Sequence, residues 1–167
     1  MAAPNATDAR RRRSYDSRCF ELGADDYLQR AATHEAGHCV AALTFGIPIV
    51  EATVEGSPHL RRGRFHMQRS TGIECLAILC LSGPAAEEMV CGPICDGGDR
   101  EDLEMARTYL RSRFSELEVA QQMQRMRDAA NRLVRTRWAE VRIWAIAGAL
   151  VERGTLTADE IYTLTSL

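Results

Sequence analysis

The sequence predicts a mostly α-helical domain with a small antiparallel β-sheet, an α+β fold. Three observations lead there. Segments with helical periodicity and recognisable ends occupy most of the chain after residue 25. Two short β-branched or aromatic stretches, 49–55 and 64–68, lie one connection apart and pair as strands. A nearly wholly apolar run, Ile73 to Leu81, needs a core around it. With 46% hydrophobic and 26% charged residues over 167 positions, one domain can bury such a core. Residues 1–20 are expected to form a disordered Arg-rich tail, and residues 21–167 the domain.

The first helix is expected from Asp25 or Asp26, whose carboxylates suit a helix N-terminus, to Phe45, where Gly46-Ile47-Pro48 turns the chain into the first strand. The second starts near Thr71 or Gly72 and carries Ile73, Leu76, Ala77, Leu79, Cys80 and Leu81. Gly83-Pro84 should kink it, because proline lacks the N–H and crowds the carbonyl four residues back, before Ala85–Val90 resumes and Cys91-Gly92-Pro93 ends it. An acidic glycine-bearing loop, 96–102, leads into a third helix over 103–110, with Asp102 in or near its first turn. Residues 116–153 read as one long or once-broken helix, with Leu133, Trp138, Val141, Trp144, Ala145, Gly148 and Val151 available for packing and Gly154 as its stop. Thr157 to Glu160 is a capping box opening a last short helix.

A formal net charge of −2 argues against a general nucleic-acid binder, despite the basic runs Arg10–Arg13 and Arg61-Arg62-Gly63-Arg64. No run of about 18 apolar residues occurs, so no membrane span is expected. The polar N-terminus has no apolar signal segment, which makes the cytoplasm the expected location. Six cysteines without secretory context are expected as free thiols, with Cys39, Cys75 and Cys80 in the core. Cys91 and Cys95 are a close pair without a matching second pair, a poor pattern for structural zinc.

The chemistry concentrates in His34-Glu35-Ala36-Gly37-His38. Four positions apart on a helix, His34 and His38 share a face and can each turn a ring nitrogen to one ion, the H-E-x-x-H zinc arrangement. Glu35, turned roughly 100° around the helix, can serve as a base toward a water on that ion instead of as a ligand. A catalytic zinc takes three protein ligands as a rule, so one more donor is required. Thr44 stands where the long metzincin pattern has its third histidine, and Ala41 where it has glycine. Glu87 or Glu88 on the second helix has suitable chemistry, and Asp102 is the aspartate alternative.

Three ordered blocks carry a resemblance: HEAGHC at 34–39, Leu81-Ser82-Gly83-Pro84-Ala85-Ala86-Glu87-Glu88, and Gly98-Asp99-Arg100-Glu101-Asp102-Leu103-Glu104-Met105-Ala106. In this order they resemble the peptidase domain of the FtsH-type ATP-dependent zinc proteases, over about residues 26–165. The resemblance implies a zincin-like metallopeptidase domain, with Zn²⁺ held by His34, His38 and Asp102 and with Glu35 as the catalytic base. It implies a metalloendopeptidase acting on flexible or unfolded polypeptide, with a separate ATPase or a homo-oligomer as possible partner. The chain departs from the family in Pro84, where arginine is usual, in Glu101, where asparagine is common, and in having no G-x-x-x-x-G-K-[ST] phosphate loop. The alternative is a non-catalytic zinc-binding interaction module that retains the fold, which would have no need of Glu35.

Overall fold

The computed structural model describes residues 24–54, 62–65, 71–94 and 99–166. The expected tail, Cys19, Cys95, residues 96–98 of the acidic loop and the outer ends of both predicted strands lie outside the described residues. The described part is mostly helical with a small antiparallel sheet, as expected.

Helix α1 (Ala24–Phe45) bears the HEAGH motif and lies at the centre. Every residue from Ala31 to Ala42 is buried, so over that stretch the helix has no solvent face. Small side chains make this possible: Ala31, Ala32, Ala36, Gly37, Ala41 and Ala42 let neighbours approach from all sides. The closest neighbour is α2 (Ile73–Cys91). At their crossing Gly37 lies against the Ser82 carbonyl, and a Cβ there would sit 2.7 Å from Ala86 Cβ.

α2 is not divided at Gly83-Pro84 and continues as one helix with Pro84 inside it. Proline forfeits only the bond that would reach the Cys80 carbonyl. Residues 79–87 are all buried, and packing of those turns holds the helical path across the lost bond.

Helix α3 (Arg100–Arg111) packs on α2, with Asp102 in its first turn as expected. The long 116–153 segment is broken once, into α4 (Glu116–Val134) and α5 (Arg137–Arg153). The break is chemical: the Thr136 hydroxyl accepts from the Ala139 N–H at 3.2 Å and starts a new helix. Gly154 ends α5 at φ 75°, a left-handed conformation that glycine adopts without strain. The packing face expected for α5 is corrected except at Val151, which does pack against the core. Ala139, Ile143, Ile146, Ala147 and Leu150 are buried, while Trp138, Val141 and Gly148 are exposed and Trp144 is 52% exposed. Both faces of α5 are apolar, so periodicity could not choose between them; the branched face packs on the small residues of α1.

Strand β1 (Ile49–Thr53) lies between β2 (Arg62–Phe65) and β3 (Thr155–Thr157), antiparallel to both. A bulge between Ile49 and Glu51 shifts the phase, so that Ile49 and Ala52 both reach the core. β3 went unread because three residues are too few to show a period. Leu156 nonetheless fills a core position, and Thr53 and Thr155 join across the strands at 2.7 Å. The capping box at the start of α6 (Ala158–Thr165) forms as expected, with the Thr157 N–H donating to Glu160 at 2.8 Å. Among the described residues no helix is long and apolar enough to cross a membrane.

Candidate metal centre

His34 and His38 point from α1 toward the first turn of α3, their ring centroids 4.8 Å apart. Asp102 meets both: its Oδ2 is 2.9 Å from His34 Nε2 and its Oδ1 is 3.4 Å from His38 Nε2. The donor atoms of His34, His38 and Asp102 all lie within 4.8 Å of one another. The two glutamates considered as ligands go elsewhere. Glu87, 1% exposed, accepts from His34 Nδ1 at 2.9 Å, behind the ring, and Glu88 is exposed on α2.

Each imidazole is fixed from its far side. The Glu87 carboxylate accepts a hydrogen bond from His34 Nδ1–H at 2.9 Å, and the Leu79 carbonyl accepts one from His38 Nδ1–H at 2.8 Å. With Nδ1 committed, each ring, once neutral, would have its Nε2 lone pair available to an ion on the Asp102 side, the orientation seen at metal-ligating histidines; without an ion, His34 Nε2–H donates to Asp102 Oδ2 at 2.9 Å. Two imidazole nitrogens and one carboxylate are a donor set suited to zinc, in the number that catalytic sites use. The residues present therefore fit the ion that the motif implies.

Gly83 completes the enclosure. A Cβ there would overlap His38 Nε2 and Cε1 and come within 2.8 Å of His34 Cδ2, so α2 passes directly over both rings. Glu35 is 2% exposed, and its charge is felt by both His34 and His38. Cys39 and Cys80 are buried, and burial pushes the Cys80 thiol up to about 12, so they behave as core side chains. Cys75 is only partly buried, a correction to its expected core position. The role of Glu87 behind His34 does not follow from spacing alone. The signal was its place one turn after Gly83 on the same apolar helix.

Electrostatics follow the geometry. Burial works against a charged His34, but hydrogen bonds to Asp102 and Glu87 and the charges of Asp102 and Glu35 outweigh it, raising its pKa to about 9 without an ion. His38 is also raised against burial, mainly by the Asp102 charge. Burial pushes Asp102 upward, but His38 and His34 together hold it well below the usual carboxylate range. Because folded His34 binds its proton more tightly than the unfolded chain does, this stabilisation is complete below the ordinary value of 6.5 and is lost as pH rises toward about 9. Chelator-treated protein should therefore melt at progressively lower temperature across that interval. Zinc, which displaces the same proton, should bind more tightly across it. Thermal scans and zinc titrations at pH 6.5, 7.5 and 9 test both signs, and a flat response in either would refute the protonation scheme.

No protein-family model matches this sequence, and no curated protein matches it significantly.

Proposed function

We propose that this chain is a zinc-dependent metalloendopeptidase domain of zincin-like type, similar to the FtsH-type peptidase domains and acting on flexible or unfolded polypeptide. The observation that carries the reading is the convergence of His34 Nε2, His38 Nε2 and Asp102 beside Glu35 on a buried helix. Zinc, when bound, supplies a Lewis acid for the peptide carbonyl and makes water acidic enough to attack near neutral pH.

The chain's own residues do the rest. His34 and His38 bind through Nε2, with their Nδ1 protons held by Glu87 and the Leu79 carbonyl. The Glu35 carboxylate accepts the proton of the attacking water and returns it to the departing amine nitrogen. An extended substrate pairs with a sheet edge, where backbone hydrogen bonds hold a peptide with little regard to its sequence. β1 is enclosed by its two neighbours, and the outer strand β2 packs against the HEAGH helix, which favours β2 as that edge.

Metal analysis of the purified protein, run beside cleavage of an unfolded casein-type substrate with and without chelator, tests the proposal. The expected result is one zinc per chain, with cleavage abolished by chelator and restored by added zinc. Absence of stoichiometric zinc would refute it. Stoichiometric zinc without cleavage of any unfolded substrate would replace it with the non-catalytic binding module.

A further inference from the structure

Arg30 stands one helical turn before His34 on α1, its side chain only 12% exposed. Its Nη1 donates to Glu87 Oε1 at 3.2 Å, while the other oxygen of that carboxylate, Oε2, accepts from His34 Nδ1 at 2.9 Å. One buried carboxylate is thus shared between a guanidinium and an imidazole. Nη2 donates to the Cys91 carbonyl at 2.7 Å, and Nη1 lies 3.4 and 3.3 Å from the Gly92 and Pro93 carbonyls. Those carbonyls belong to the end of α2 and to the chain leaving it toward α3, the helix that brings Asp102.

We propose that Arg30 is a positioning residue for the metal centre, gripping Glu87 and the chain leaving α2 so that His34 is held with its proton on Nδ1 and its Nε2 toward Asp102. This rests on the reading of His34, His38 and Asp102 as zinc ligands. The physical need is clear from burial: a carboxylate that is 1% exposed requires a cation and fixed donors, and His34 occupies only one of its oxygens. Arginine suits the position because its planar fork can face a carboxylate and a backbone carbonyl together, which a lysine ammonium on a flexible stem does less well. Partners behind a metal-binding histidine are worth about 10–100-fold in metal affinity.

Zinc dissociation constants, measured by competition with a chromophoric chelator, are compared for the wild type, Arg30→Met, Arg30→Lys, Glu87→Gln and the double variant Arg30→Met/Glu87→Gln. Arg30→Met should weaken zinc about 10–100-fold, and Arg30→Lys, which keeps the charge but not the planar fork, should recover part of the loss. In the Glu87→Gln background, Arg30→Met should add little, because the pathway through the carboxylate is already broken. Affinity of Arg30→Met within about twofold of wild type, fully additive losses, or a Lys variant as weak as the Met variant would each overturn the proposal; a twofold change is under about 0.5 kcal/mol. Should Arg30→Met fail to fold, Arg30→Gln against Arg30→Lys makes the same comparison: a Gln variant clearly weaker than the Lys variant supports it, and equal affinities overturn it. A wild-type protein without stoichiometric zinc overturns the underlying ligand reading, and this inference with it.

Discussion

Glu35→Gln will leave the zinc content unchanged and lower peptide hydrolysis by about 10²–10⁴-fold, the range that general-base catalysis contributes. The substitution keeps the shape of a side chain that is 2% exposed in the central helix, so the packing of α1 should survive it. Neither ring nitrogen facing Asp102 is altered, and both far-side acceptors, Glu87 and the Leu79 carbonyl, remain. What disappears is a carboxylate able to take a proton next to the three donors. Zinc stoichiometry and single-turnover cleavage of an unfolded substrate, measured on the same preparation, separate the outcomes. Undiminished turnover would remove Glu35 from the mechanism, whereas loss of zinc together with activity would give it a structural role.

Gly83→Ala is expected to cost at least about 100-fold in zinc affinity, beyond the usual effect of a supporting residue, because it displaces the ligands themselves. The added methyl would overlap the His38 ring and crowd His34 Cδ2. Neither ring has an easy retreat. His34 is held at both nitrogens by Glu87 and Asp102, and His38 is tied through Nδ1 to the Leu79 carbonyl. The backbone of α2 cannot lift without opening its contact at Gly37, where the Ser82 carbonyl already lies against α1. Overpacking of this kind costs about 1–3 kcal/mol of stability. The sign makes the test sharp: on helix propensity alone, Gly→Ala within a helix would stabilise by about 1 kcal/mol. A melting temperature above wild type with zinc affinity intact would show that α2 does not press on the rings.

The parts legible in the sequence were those whose chemistry is local. His34, Glu35 and His38 share two turns of one helix, Thr157 and Glu160 cap across three residues, and Gly154 ends a helix by its own φ. What could not be read depends on how distant surfaces meet. Spacing left Glu87, Glu88 and Asp102 open as third donors, because the angle at which α2 and α3 cross α1 decides which carboxylate arrives in front of the rings and which behind. Trp138 and Trp144 are exposed against expectation for the same reason, since either apolar face of α5 would satisfy a helical period. Arg30 leaves a signal in the sequence: a guanidinium one turn before His34, entering a stretch buried all round, requires acidic or carbonyl partners nearby.

The two sides of the centre are anchored very unequally. His34, His38 and Glu87 sit in the best-buried layer of the protein, whereas Asp102 arrives on α3, of which only Ala106 and Leu110 are fully buried. Local opening costs least where few apolar contacts must break, so α3 is the element expected to lift first. An ion bridging Asp102 to the two histidines would act as a staple across that seam, and its departure would be gated by the helix instead of by the ligand bonds alone. Hydrogen exchange should then show α3 amides gaining protection on zinc loading well beyond those of α1, and metal release should track the opening rate of α3. Equal protection changes in both helices would place the weak seam elsewhere.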